Sequence, residues 1–473
     1  MGKEFEIRAE FAGIDFGSKR LEERFVNTMD KLSKEPDKSI WLASGKRSEA
    51  KAVYRMLSNE KLRDEEILRQ TAESTIRRIS ESGCEVILAV QDTMGVNYDG
   101  HKKTPGMGWI GDKTLGVNIH SCIAVTPEGL TLGLLSQTSW TRKVRSDTSV
   151  SRDKKKERSV EDKESYRWLK TMEASEKHIS PDVKIIHICD RDGDMYELYE
   201  KASKENRLFV IRILQNRVTV DSGKIIDETK AGAVIGSMIL TIPRNSQKNQ
   251  PEREAELNVR TKTFNVKKPN WRRNDKHLSE SVRMTVIYIS EDQPPEGIEP
   301  IKWLLATNES VTDANEAMKI SGYYIQRWKI ERFHYVMKSG CQIEKIQQRS
   351  VGKIVTLILM YSVIAIKILN VTYLARLAPE IPCSAILDED EWKVLYCAVN
   401  KTQSPPDEPY TIAEAVIYIA KLAGWGGAKS DGAPGLKVIW LGFSKLNFLL
   451  DSYFFLPKLF CGSSVESCCG VIH

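Results

Sequence analysis

Val86-Ile87-Leu88-Ala89-Val90 is an unbroken apolar run that leads directly into Gln91-Asp92-Thr93, and Val183-Lys184-Ile185-Ile186-His187-Ile188-Cys189 leads in the same way into Asp190. Short runs rich in β-branched and aliphatic residues read as strands buried on both faces, as in the parallel part of an α/β sheet. Between them, Leu115–Val125 and Leu130–Leu135 flank Thr126-Pro127-Glu128-Gly129, a turn-forming sequence, and predict a hairpin. A charged stretch from Arg142 to Lys163 precedes a predicted helix over Tyr166–His178, a second helix spans Met195–Lys204, and Leu208–Ile213 supplies a fifth strand. The order is β-β-β-α-β-α-β, with an aspartate after the first and fourth strands.

On either side of this unit the pattern changes. Before residue 75, Leu21, Phe25, Met29 and Leu32 recur at helical spacing, and Ser48 is placed to cap a second helix whose one side carries Ala52, Val53, Met56 and Leu57. This small helical unit has basic edges: Lys19, Arg20, Arg24, Lys46, Arg47, Lys51 and Arg55. On charge alone, phosphate contact and an ordinary solvated helix face are equal readings. Residues 215–307 read as a β-rich insertion with short strands at Met238–Ile242, Leu257–Val266 and Val282–Ile289. Beyond Ser321 the chain is helical, and the apolar run Ile354–Leu369, broken by Lys367, reads as a buried helix rather than a membrane span.

The bulk numbers agree with a large globular chain. At 473 residues it exceeds one hydrophobic core, and 41% hydrophobic with 28% charged residues excludes a disordered composition. The 70 basic and 64 acidic residues leave a formal charge of only +6, so a nucleic-acid surface has to come from local clustering. Nine cysteines, single except near the C-terminal end (Cys461, Cys468 and Cys469), suggest no disulfide framework and fit a reducing cytoplasm. Leu456–His473 reads neither as a helix nor as a zinc site.

Each aspartate alone is weak evidence, since an aspartate after a strand is more often a turn former or helix cap. A third acidic position changes the balance. In Tyr323-Tyr324-Ile325-Gln326-Arg327-Trp328-Lys329-Ile330-Glu331-Arg332-Phe333-His334-Tyr335-Val336-Met337-Lys338, the residues Tyr324, Arg327, Glu331 and Lys338 are three, four and seven apart. On an α-helix they share one stripe, while Ile330, Phe333 and Met337 fall on another face that can anchor it. A solvated helix with Arg-to-Glu pairing has the same pattern. Three carboxylates brought together repel unless cations sit among them, and two-metal phosphoryl transfer is the chemistry that needs such a group. In that reading Asp92, Asp190 and Glu331 bind Mg2+ or Mn2+, two ions per active site, while Arg327 and Lys338 hold a DNA backbone and Tyr324 donates to a phosphate oxygen.

These residues resemble the DDE transposases of the insertion-sequence-four family. The family's third-carboxylate signature, Tyr-x2-Arg-x3-Glu-x6-Lys, is similar to Tyr324, Arg327, Glu331 and Lys338 without a gap; Asp190-Arg191-Asp192-Gly193-Asp194 and Gln91-Asp92-Thr93 resemble its two aspartate motifs. Ser48-Glu49-Ala50-Lys51-Ala52-Val53-Tyr54-Arg55 resembles its N-terminal domain, which implies that Lys46, Arg47 and Arg55 contact DNA. Lys302-Trp303-Leu304-Leu305 resembles the exit strand of its insertion, making Trp303 a candidate for stacking on a flipped base, although without the resemblance a tryptophan between apolar neighbours is more often a core residue. Arg212 matches a family position near the DNA backbone.

The resemblance implies a ribonuclease-H-like catalytic core over residues 76–370 with the β-rich insertion, an N-terminal helical DNA-end-binding domain over 1–75 and a C-terminal helical dimerisation domain over 371–473. The implied activity is metal-dependent cleavage and strand transfer of double-stranded DNA, through a hairpin in the family's scheme. The implied partners are transposon inverted-repeat ends, target DNA and a second copy of the chain, with no membrane, in a bacterial cytoplasm at the nucleoid. Gly426–Gly435 resembles the family's glycine-rich turn, whereas the tail after Leu456 departs from it. A catalytically inactive inhibitor or end-binding protein is the alternative, and a nonspecific nuclease a third.

Overall fold

The computed structural model describes residues 6–111, 113–143, 159–242, 250–428 and 432–460. Its centre is one mixed sheet, built on β1 (Val86–Asn97), β2 (Gly108–Trp109), β3 (Leu115–Val125), β4 (Thr131–Trp140), β5 (Lys184–Cys189) and β6 (Leu208–Arg212). β1 is antiparallel to β3 and parallel to β5, β5 is parallel to β6, and β4 pairs with β3. The apolar runs became strands as expected, because residues such as Leu88, Val90, Ile186 and Ile188 are covered on both faces. The two-residue β2 gave no periodic signal.

The 215–307 strands do not stand apart. β7 (Gly236–Ile242), β8 (Arg253–Lys267), β9 (Ser281–Ser290) and β10 (Lys302–Thr307) form an antiparallel meander, and β10 pairs with β6. The sheet therefore runs β2-β3-β1-β5-β6-β10-β9-β8-β7, with β4 on the far side of β3.

Helices cover the sheet. On the N-terminal side are α1 (Lys19–Lys34), α2 (Arg47–Met56) and α3 (Asp64–Ser82). Leu21, Phe25, Met29 and Leu32 of α1 are buried, as the spacing predicts. Lys46 rather than Ser48 occupies the N-cap of α2, so Ser48 is the second residue of the helix, and exposed. α3 runs across residue 75 and packs on β4, where Thr75 Oγ1 donates to Leu134 O at 3.0 Å and Gly133 leaves no room for a Cβ beside that hydroxyl.

Downstream come α4 (Tyr166–Glu176), α5 (Tyr196–Lys204), α6 (Ile225–Ala231), α7 (Ala314–Ile325), α8 (Trp328–Tyr335), α9 (Val351–Leu377), α10 (Glu389–Asn400), α11 (Ile412–Leu422) and α12 (Leu436–Phe460). α9 is long and apolar enough to cross a membrane, yet 89% of its apolar window is buried inside the protein. It is the common support for β4, α3, α1 and the C-terminal helices. α12 continues to Phe460, past Leu456 where the sequence reading ended the helix; Cys461, Cys468 and Cys469 lie outside the described residues.

Candidate metal centre and DNA-contact residues

Asp92 is not at a strand end. β1 continues to Asn97 because its antiparallel partner β3 runs alongside that far, whereas the parallel pairing with β5 stops at Val90 and Ile188. Carried two residues on, the same register sets Asp190 beside Asp92 at the point where the β5 strand stops. Such a carboxyl-end opening in a parallel sheet is where polar side chains gather. Asp190 caps a short turn, accepting from Asp192 N at 2.8 Å.

Glu331 approaches from α8. The stripe read from Tyr324 to Lys338 is broken twice: Gln326 and Arg327 form a turn between α7 and α8, and residues Val336–Gly340 wind as a π-helix. Lys338, within the π-helical turn, pairs with Glu344 at 3.6 Å and also acts on His334. Arg327 stays with the acids: its Nη1 is 3.1 Å from Glu331 Oε1 and 3.6 Å from Asp92 Oδ2. Ile330, Phe333 and Met337 are fully buried and anchor the segment.

Among the described residues, Asp92, Glu331 and His334 bring one ligand atom each within 4.8 Å of one another. Asp190 is outside that mutual distance and adjoins the group through Asp92. His334 sits one turn after Glu331 and is buried, and its Nε2 has no hydrogen-bond partner. The sequence reading gave it no role; the Glu-x-x-His spacing was the available signal.

The electrostatics are those of crowded acids. Burial, then the neighbouring Asp190 carboxylate, push Asp92 up to about 7, with Glu331 adding to the repulsion and the Thr93 amide and Arg327 opposing it. Burial likewise raises Asp190, against the Asp192 amide, Arg327 and Arg167. Burial, with help from Lys338 and Arg327, pushes His334 down to about 3, so its ring is neutral and has a lone pair to give.

The remaining expected residues divide between two regions. Arg212, at the end of β6, donates to Lys302 O at 3.3 Å and faces Tyr324 and Arg191. Trp303 is half-buried, edge-on to Tyr324 with ring centroids 6.2 Å apart, so Arg212, Trp303 and Tyr324 border one side of the cleft. Lys46, Arg47 and Arg55 are exposed on the N-terminal unit, away from the acids in the chain and held by the buried Ala50, Val53 and Met56 of α2. Arg55 also lines a surface groove with Arg20 and Arg24 between α1 and α2.

Residues 6–62 match a family model described as transposase DNA-binding, and residues 363–455 match one described as the transposase Tn5 dimerisation domain. A solved piggyBac transposase synaptic complex with hairpin DNA overlaps 97% of this chain and 79% of that one, at a TM-score of 0.37 and 10% identity. A likeness that loose carries no weight for the fold. The two terminal segments match domains of transposases, and together they support a Tn5-like transposase.

Proposed function

We propose that this chain is a DDE transposase of the insertion-sequence-four type, which cuts DNA at transposon ends and joins the freed ends to a target. The observation that supports this reading is the grouping of Asp92, Glu331 and His334 beside Arg327, with the Asp190 carboxylate acting on Asp92 from the neighbouring strand. Three carboxylates and a neutral imidazole are a donor set for a hard or borderline divalent cation, and the unpartnered Nε2 of His334 fits such an ion better than it fits a closed core. Mg2+ or Mn2+, two per site, is the expected complement; it would polarise the scissile phosphate and lower the cost of forming an attacking oxygen anion.

The protein's own residues orient the strand. Arg327 and Arg212 supply guanidinium groups for phosphate oxygens, Tyr324 borders them, and Trp303 offers a ring for an unstacked base. Lys338, paired with Glu344, has to change partners to reach a phosphate. Residues 76–370 serve as a ribonuclease-H-like core, with the β7–β10 meander as its insertion. The N-terminal basic groove grips inverted-repeat ends, and the C-terminal helices join two copies in a synaptic complex. The setting is a bacterial cytoplasm.

The test is cleavage of a duplex carrying the inverted repeats that flank the gene. Cutting should require Mg2+ or Mn2+, stop with chelator, and fall at least about a thousandfold in Glu331→Gln while end binding persists. Undiminished cutting by Glu331→Gln would sink the reading.

A further inference from the structure

A continuous chain of side-chain hydrogen bonds runs through the interior beneath α4. Arg167 Nε donates to Thr93 Oγ1 at 3.0 Å, and Thr93 Oγ1 lies 2.8 Å from His120 Nδ1. His120 Nε2 lies 3.3 Å from Gln91 Oε1, Gln91 Nε2 lies 3.1 Å from His187 Nδ1, and His187 Nε2 lies 2.7 Å from Glu176 Oε1. Arg207 closes the far end on Glu176 Oε2 at 2.9 Å. Gln91, His120 and His187 are 0% exposed.

The two ends determine the direction. A guanidinium only donates and a carboxylate only accepts. The Gln91 amide nitrogen only donates and its oxygen only accepts, and burial keeps His120 neutral, so one assignment remains: Thr93 donates to His120 Nδ1, His120 Nε2–H to Gln91, Gln91 Nε2–H to His187 Nδ1, and His187 Nε2–H to Glu176. Every donor points from Arg167 towards Glu176. Apolar side chains would fill this space at less cost, since each polar member must be desolvated and then satisfied.

The placement of the chain says what it secures. Arg167 and Glu176 are at opposite ends of α4, about 13 Å apart along its axis, while Gln91 and Thr93 flank Asp92 on β1, His120 is on β3 and His187 on β5. The bonds therefore set the axial position of α4 against the strands that carry Asp92 and Asp190. At the open end, Arg167 lies over Trp140 and Trp168, with its guanidinium 3.6 Å from Asp192, an exposed acid. Trading Asp192 for a phosphate costs the protein little, because the Asp192 carboxylate is itself solvated and the contact at that distance is loose.

We infer that Arg167 is a further phosphate-binding residue of the cleft, for a phosphodiester of the DNA strand on the Asp190 side, and that the Thr93–His120–Gln91–His187–Glu176 chain is its positioning device. This rests on the proposed function. The test uses the full chain with the inverted-repeat duplex and Mg2+. Arg167→Gln should lower the slope of log affinity against log salt by about one unit and slow cleavage at least about tenfold; Arg167→Lys should restore the salt slope. Thr93→Val should slow cleavage with the salt slope unchanged, and Thr93→Ser should recover it. Independently of DNA, imidazole 15N spectra should show both His120 and His187 as the Nε2–H tautomer, with Thr93→Val shifting only the His120 Nδ1 signal strongly. An Nδ1–H tautomer at His187, or wild-type cleavage with an unaltered Arg167→Gln slope and rate, overturns the inference alone. A wild-type chain that binds the duplex no better than unrelated DNA and never cuts it overturns the proposed function, and this inference with it.

Discussion

Arg327 faces Asp92 across the cleft, its Nη1 3.6 Å from the Asp92 Oδ2, and the same nitrogen reaches Glu331 at 3.1 Å. A guanidinium between two carboxylates occupies the position and charge that a divalent ion would take, so the two compete. Arg327→Ala should bind Mn2+ several-fold more tightly than wild type in a direct titration, while losing DNA cleavage. Unchanged or weaker Mn2+ affinity would show that Arg327 does not guard the site.

The raised Asp92 carboxyl has a consequence for stability. A carboxyl held up at about 7 when folded, against an ordinary value of 3.8, contributes stability that is complete below 3.8 and is lost as pH rises through about 7. Asp92→Asn removes that loss. In chelator, its melting temperature should exceed that of wild type at pH 8, with a gain of roughly 2–4 kcal/mol that shrinks towards pH 4. A gap that is constant over this range would rule out the crowding of acids as its cause.

Within Asp190-Arg191-Asp192-Gly193-Asp194 the acids have different work. Asp194 is buried, accepts from Leu214 N at 2.8 Å, Gln215 N at 2.9 Å and Tyr199 Oη at 2.8 Å, and pairs with Arg217 at 2.7 Å. Asp194→Ala should cost about 3–5 kcal/mol of folding stability by leaving the Arg217 charge buried and unpaired. Asp190→Asn should cost little stability and abolish cleavage. Chemical denaturation beside a cleavage assay separates the two, and equal stability losses would contradict the division.

Arg78 and Glu10 form a second buried pair, with 1% and 3% of their side chains exposed. Arg78 grips both Glu10 oxygens and also donates from Nε to Leu132 O at 2.5 Å, so one side chain ties the N-terminal segment to α3 and β4. Glu10→Ala should loosen the N-terminal unit by about 3–5 kcal/mol, seen as early proteolysis ahead of residue 64. Glu10→Ala together with Arg78→Met should recover much of that loss. Proteolysis at the wild-type rate in Glu10→Ala would refute the tie.

The apolar runs at Val86–Val90 and Val183–Cys189 were legible as strands, and the helical spacing of Leu21, Phe25, Met29 and Leu32 as a buried face, because burial demands are local and repeat with the backbone period. Other features were not. Asp92 looked like a strand end because its parallel neighbour stops there, while the continuation to Asn97 depends on β3, whose partner residues Gly116–Ser121 lie well beyond any local pattern. The π-helical turn at Val336–Gly340 and the pairing of Lys338 with Glu344 were not legible, because that sequence reads as ordinary helix.

By itself, the sequence determined which residue types were available and the period of each element, hence three acids placed after or within apolar segments and a cation four residues before the third. Only the tertiary structure decided their company. The β1–β5 register sets Asp190 beside Asp92, the fold of α8 against β1 brings Glu331, His334 and Arg327 to the same opening, and the pairing of β10 with β6 joins the meander to the same sheet. These are contacts between segments far apart in the chain, set by packing and hydrogen-bond register across the whole sheet, and no local pattern of residues encodes them.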